Sequence, residues 1–315
     1  MVLNIFPVLC SLALTSTACS AHAPKDSFPE GKIAAEWSAF KLPYDLEKAT
    51  ANWPLPDELF ETSGLSMADD DKHLLAIQDE MGLLYWIDKQ SGAIDKKATF
   101  WKEGDYEGVE IADGVIYVVK SSGTIYQIRN AGAADQQLEK FNTFLNSTTA
   151  DVEGLAYDAA GKRLLIACKA PLDATDSEAL QRNIYAFDLA TQQMPEKPAF
   201  QIHLADVQAY LKAAANEPGT AKIAEYFAKE RKEPFAFSPS AIAVHPLTGH
   251  IYICSSSGRM LFILDKEGAL LHIAQLSKDM LQQPEGLCFD KNGNLYISSE
   301  GKKTTAVIVR FPWRP

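Results

Sequence analysis

Five segments of this chain repeat one pattern, at a spacing that few architectures satisfy. They are Ser63-Gly64-Leu65-Ser66, Glu107-Gly108-Val109-Glu110, Glu153-Gly154-Leu155-Ala156-Tyr157-Asp158, Ser240-Ala241-Ile242-Ala243-Val244-His245 and Glu285-Gly286-Leu287-Cys288-Phe289-Asp290. Their first residues, 63, 107, 153, 240 and 285, lie 44, 46, 87 and 45 residues apart. A second strand is predicted after each: His73 to Gln78, Val115 to Lys120, Arg163 to Cys168, His250 to Ser255 and Asn294 to Ser299. Turn chemistry such as Asp69-Asp70-Asp71 or Lys291-Asn292-Gly293 separates the two, as a hairpin requires. Third strands fit Leu83 to Asp88, Thr124 to Arg129, Asn183 to Asp188, Met260 to Asp265 and Thr305 to Phe311. Fourth strands fit Lys96 to Trp101, Glu139 to Leu145, Lys197 to Leu204 and Leu270 to Gln275.

Four short strands every 45 residues or so is the period of a propeller blade. One blade cannot bury both of its faces, so blades stack around an axis and the ring must close. The predicted fold class is therefore all-β, a β-propeller of five blades. The 87-residue gap leaves a sixth blade as the alternative. A helical hairpin explains the gap better, because Leu204, Val207 and Leu211 share one helical face over His203 to Lys232. Pro218-Gly219 then turns the chain, and Ile223 and Phe227 suit a second helix. The last blade runs out of chain before its outer strand. The stretch Ala34 to Leu42 is expected to supply it, joining the termini and removing an open sheet edge.

The net charge of -11 and a pI near 5.1 argue against nucleic acid and against a polybasic hold on lipid. The first eighteen residues carry no charge and end in Ser16-Thr17-Ala18 before Cys19. This reads as a signal peptide over 1–18, followed by a bacterial lipobox cysteine. Lipidation at Cys19, with residues 19–32 as a tether, would hold a single propeller domain of residues 33–315 on the bacterial cell envelope, facing the periplasm or the surface. An ordinary cleaved signal with an incidental cysteine is the alternative. Cys168, Cys254 and Cys288 remain, an odd number on strand-like segments, and are expected to be buried free thiols.

A resemblance can be drawn on several of these residues. Tyr44-Asp45-Leu46, Leu55-Pro56-Asp57-Glu58-Leu59 and Ser63-Gly64-Leu65 resemble the start of the SdiA-regulated family. So do Asp151-Val152-Glu153-Gly154-Leu155, Phe237-Ser238-Pro239-Ser240 with His245-Pro246, and Gln283-Pro284-Glu285-Gly286-Leu287. The resemblance spans roughly residues 40 to 312 and implies an envelope-associated propeller, distantly similar to NHL-repeat proteins, with a bound calcium. It implies no particular reaction.

The innermost strands of a propeller line its channel, and the loops leading into them open on one face. The repeat therefore gathers Ser63, Glu107, Glu153, Ser240 and Glu285 there, with Glu61, Asp105, Asp151, Ser238 and Gln283 two residues earlier. The second strands end on the same face and add Asp79, Glu80, Lys120, Lys169, Ser256 and Glu300. Two like charges about 4 Å apart repel by about 4 kcal/mol at an effective dielectric of 20, so the carboxylates need compensation. One reading is a central Ca²⁺ held by Glu107, Glu153 and Glu285, since hard oxygen donors select that ion. The others are pairing with Lys120 and Lys169, or a clasp in which each glutamate accepts backbone N–H bonds from the next blade. The segment Ala170 to Arg182 and the helical hairpin border this face, as pocket walls or as plain cover.

With neither HExxH nor GxSxG in the chain, the reading favours a monomeric, membrane-anchored binding protein for a small molecule or an envelope protein. The alternative is a Ca²⁺-dependent hydrolase of esters, lactones or phosphoesters. Glu107, Glu153 and Glu285 would then hold the metal, Asp79, Asp151 or Glu300 would act as base, and Lys120 or Lys169 would steady developing negative charge.

Overall fold

The computed structural model describes residues 31–146, 150–171 and 178–315. Strand β1 (Ala51–Pro54) precedes the repeat. Blade one comprises β2 (Thr62–Met67), β3 (His73–Gln78), β4 (Leu83–Asp88) and β5 (Ile94–Thr99). Blade two comprises β6 (Tyr106–Ala112), β7 (Val115–Lys120), β8 (Ile125–Arg129) and β9 (Gln137–Phe141). Blade three comprises β10 (Val152–Asp158), β11 (Arg163–Cys168), β12 (Gln181–Asp188) and β13 (Phe200–His203). Helices α1 (Leu204–Ala213) and α2 (Thr220–Ala228) follow. Blade four comprises β14 (Pro239–Val244), β15 (Ile251–Ser255), β16 (Met260–Leu264) and β17 (Leu270–Gln275). Blade five comprises β18 (Pro284–Phe289), β19 (Leu295–Ser299) and β20 (Val307–Phe311), completed on its outer side by β1.

Every sheet is antiparallel, and β2, β6, β10, β14 and β18 neighbour one another in a closed ring around the axis. The second strands read as unbroken apolar runs because a blade packs on both faces. Leu74, Leu75, Ala76 and Ile77 are all fully buried, as are Leu164 to Cys168. Cys168, Cys254 and Cys288 are free and buried. The repeat glycines are set by close approach between blades. A Cβ on Gly64 would stand 2.8 Å from the Val109 nitrogen, and one on Gly108 would stand 2.8 Å from Leu155 Cβ.

Closure differs from the sequence expectation. The outer strand of blade five is β1, with Ala51 opposite Arg310 and Pro54 opposite Val307, and not Ala34 to Leu42. The latter segment crosses blade four instead. Ile33 bridges Leu270, Ala34 N–H donates to the Leu270 carbonyl, and the Phe40 ring meets His250 and His272. Ala34 is buried there, while Trp53 of β1 stacks on Tyr296 at 6.4 Å between ring centres. The Pro54 ring is tolerated because the strand lies at an edge.

The 87-residue gap holds no sixth blade. It contains the rest of blade three and the predicted hairpin, whose Val207, Tyr210 and Ile223 join the core between blades three and four. Buried Arg182 fastens the hairpin's exit, donating to Glu233 and, at 2.9 Å, to the Phe235 carbonyl. Outer strands deviate most from expectation. β9 ends at Phe141 and β13 starts at Phe200, because half-exposed edge strands carry little periodicity. No helix among the described residues is long and apolar enough to cross a membrane. The signal peptide, Cys19 and nearly all of the tether fall outside the described residues, as do residues 172–177 of the segment Ala170 to Arg182.

Candidate functional site

Each innermost strand changes register at one place, between residues 62 and 64, 106 and 108, 152 and 154, 239 and 241, and 284 and 286. The residues passed over are Ser63, Glu107, Glu153, Ser240 and Glu285. The repeat position is thus a β-bulge in every blade, a device that takes a side chain out of the ladder and re-aims it. Ser63, Glu107, Glu153 and Glu285 ring the channel with Gly64, Gly108, Gly154, Ala241 and Gly286. The free space they enclose is only about 10 Å³, room for a single water. Anything larger meets the mouth above them.

The serines and the glutamates do different work. Ser63 Oγ donates to the Tyr106 carbonyl at 2.7 Å, and Ser240 Oγ donates to the Pro284 carbonyl at 2.6 Å. Each serine therefore clasps the residue ahead of the bulge in the next blade. The glutamates crowd the axis instead. Glu153 is buried, and its Oε1 accepts from Lys169 Nζ at 2.5 Å. Lys169 Nζ also stands 3.7 Å from Asp151 Oδ2. Burial opposes the charge on Lys169, but Glu153, Asp151 and Glu285 more than offset this and raise its pKa.

The remaining carboxyls are under-compensated. Burial, then the charges of Glu153 and Asp105, push Glu107 up to about 10, with its proton shared toward Asp105. Burial pushes Glu153 up to about 7, moderated by Lys169. Glu285 is held well above the usual range by burial, then by Glu153 and Glu300. Burial raises Glu300, which accepts from Gln283 Nε2, and burial with Glu61 raises Asp79, whose Oδ1 is buried without a partner. Lys120 turns aside, its amine 5.5 Å from the Tyr106 ring centre. Among the described residues, Lys169 is thus the lysine that faces these three glutamates, of which Glu153 and Glu285 are buried and Glu107 half-buried.

The donor set is oxygen only, as calcium would require. Yet among the described residues no three carboxyl, imidazole or thiol groups converge closely enough to hold a metal ion. In this arrangement the cation beside Glu153 is Lys169.

The glutamate that clasps blades is one the sequence reading passed over. Glu110 accepts from the Ser66 hydroxyl of blade one, from its own neighbour Ile111 N–H at 2.8 Å, and from Tyr157 N–H of blade three at 3.2 Å. A signal was present, since the third place after each bulge holds Ser66, Glu110, Ala156, Ala243 and Cys288, so that one charge stands among small residues. Glu110 borders the far end of the channel, which opens into a cavity of about 610 Å³ beside Met67, Tyr157, Val244 and Phe289. The helical hairpin lies at the perimeter, with α1 against β13 and β17, the outer strands of blades three and four. None of its residues lines the channel ring.

Comparison with solved structures agrees with the fold. The glutaminyl cyclase of Myxococcus xanthus superposes with a TM-score of 0.53 at 10% identity, covering 85% of this chain and 96% of that one. A PQQ-bound aldose sugar dehydrogenase from Streptomyces coelicolor gives a TM-score of 0.46 at 12% identity, over 83% and 98% of the two chains. At such identities the first likeness speaks to architecture alone, and the second carries no argument. A sequence model of the SdiA-regulated family matches residues 46–210 and 212–303. With the repeat, the five blades and this match together, the chain belongs to the SdiA-regulated family.

Proposed function

We propose that this protein is a lipid-tethered envelope propeller that works as a binding platform, taking a positively charged group of a ligand or partner at the upper mouth of its channel. The observation that carries this is the charge imbalance around the axis. The Glu153 charge helps to raise both Glu107 and Glu285, Asp151 and Glu300 help to raise Glu153 itself, and among the described residues Lys169 is the cation that answers them. A cation arriving from outside displaces protons from these groups and gains attraction that bulk water would screen away.

The hydrolase reading has no comparable support. The Ser63 and Ser240 hydroxyls donate to blade carbonyls, and Lys169 is held by Glu153.

The test is a thermal-shift series with spermidine as an organic cation and Ca²⁺ as the metal, on the wild type and on Glu153→Gln. Spermidine should stabilise the wild type and bind at least roughly tenfold more weakly to the variant, since one charge near the cation is worth more than 1.4 kcal/mol at a dielectric of 20. Stabilisation by Ca²⁺ alone, lost in Glu153→Gln, would favour a metal site instead. No response to either cation would remove the mouth as a binding site.

A further inference from the structure

Away from the glutamates, the innermost strands end in a second set of side chains that the repeat also fixes. Four residues after each bulge stand Met67, Ile111, Tyr157, Val244 and Phe289, one per blade, all apolar or aromatic. Two residues earlier on the same strand face, Leu65, Val109, Leu155, Ile242 and Leu287 are buried in the core. The later five are covered less. Phe289 is buried, but Met67, Ile111, Tyr157 and Val244 are only half-buried. These four pack on the core on one side, and all five line the cavity of about 610 Å³ on the other. A strand end that met only water would carry polar side chains, as the turns beside it do. Five apolar groups from five blades, gathered on one concave surface with a polar rim, have the composition of a small-molecule site. Its volume lies within the range of about 300–1,000 Å³ that such sites occupy.

The polar groups of this cavity answer one another. Its walls include the turns around Gly161 and Gly249. On them, Arg163 Nε donates to Asp158 Oδ2 at 2.8 Å, and Lys266 Nζ lies 3.8 Å from Glu267 Oε1. His245, lowered to about 4 by burial, is neutral at pH 7. Glu110 is the remaining ionisable carboxyl of the lining, and it already accepts from Ser66, Ile111 and Tyr157. Burial raises its pKa despite these donors, so a second negative charge beside it is disfavoured. Its Oε2 holds a single donor, Tyr157 N–H at 3.2 Å, and a carboxyl oxygen can accept two. A ligand here therefore meets apolar surface, a rim of paired charges and one acceptor with capacity to spare.

We infer that the far end of the channel is a second binding site, which takes one neutral, largely apolar small molecule with a hydroxyl or N–H group directed at Glu110. The inference goes beyond the cation reading and does not rest on it. Only about 10 Å³ of free space lies between the two ends, so a ligand at one does not reach the other.

The test is fluorescence titration of the purified protein with N-phenyl-1-naphthylamine, a neutral aromatic amine with one N–H that brightens in apolar surroundings. One molecule should bind per chain. Val244→Trp fills the cavity and Met67→Asp charges its wall, and each should weaken binding at least about tenfold with the unfolding midpoint near that of the wild type. Phe60→Ala removes an exposed ring outside the cavity and should change nothing. Anilinonaphthalene sulfonate, the same rings with an added anion, should bind more weakly, and spermidine should displace neither dye. Should either cavity variant unfold, hydrogen exchange of the wild type saturated with the neutral dye replaces it. Protection should then appear at the far ends of β2, β6, β10 and β14. No binding, binding indifferent to both cavity variants, or protection confined to other segments overturns the site. Tighter binding of the sulfonate, or displacement by spermidine, overturns the neutral class of ligand.

Discussion

Replacing Glu107 with glutamine measures directly how the axial carboxyls are compensated. Glu107 is pushed from 4.5 up to about 10, so between pH 6 and pH 8 it stays protonated in the folded chain and ionised in the unfolded one. A pKa raised by folding gives stability that is complete below the unfolded value and is lost as pH rises toward the folded value. Each pH unit in that window costs up to about 1.4 kcal/mol for one proton, hence about 2.7 kcal/mol from pH 6 to pH 8. Glutamine has the same shape, can donate to Asp105 as the protonated acid does, and has no proton to lose. The stability of Glu107→Gln relative to the wild type should therefore rise by about 2.7 kcal/mol across the window. Glu153, pushed up to about 7, ionises within it and should bend the wild-type profile near pH 7. His245 and His272, both lowered from 6.5 to about 4 by burial, titrate below it when folded and within it when unfolded, equally in both proteins, and so cancel in the difference. Urea unfolding at pH 6, 7 and 8 gives the numbers. Parallel profiles for the two proteins would refute the reasoning, because they would place an ionised Glu107 beside some unseen counter-charge.

Other consequences can be read in the same way. Glu110→Ala should cost about 3 kcal/mol in urea unfolding, since it strands donors from three blades, and Glu110→Gln should recover only part of this. Ser240→Ala should cost about 1–2 kcal/mol by leaving the buried Pro284 carbonyl without its donor. Lys169→Met should lower the melting temperature more at pH 8 than at pH 5.5, because Glu153 then keeps its charge without a partner only at the higher pH. Its cost at pH 8 should be about 1–2 kcal/mol, discounted for the lysine's partial exposure. A chain starting at Leu55 lacks β1, bares the edge of β20 and should aggregate, which light scattering would detect.

Much of the fold was legible because its determinants are local and repeated. The bulge-glycine pattern, the apolar second strands and the turns between them place β3, β7 and β11 to the residue. Ring closure was not legible in the same way. Ala34 to Leu42 and Ala51 to Pro54 are both short, mixed segments, and only the partners they meet distinguish them. In the site, the repeat brought Glu107, Glu153 and Glu285 to one axis, and the pairing of Lys169 with Glu153 was among the weighed possibilities. The clasp chemistry was anticipated but sits on Ser63, Ser240 and Glu110, because a bulge decides which way each side chain turns and pattern alone does not show that.

The central claim is that the upper mouth exchanges protons for an incoming cationic group. Calorimetric titration of the protein with spermidine at pH 7.5, in two buffers of different ionisation enthalpy, tests it most directly. The account predicts binding accompanied by proton release, drawn chiefly from Glu107 and Glu285, with binding much weakened in Glu153→Gln. Binding with no proton release, or affinity unchanged by the substitution, would contradict it.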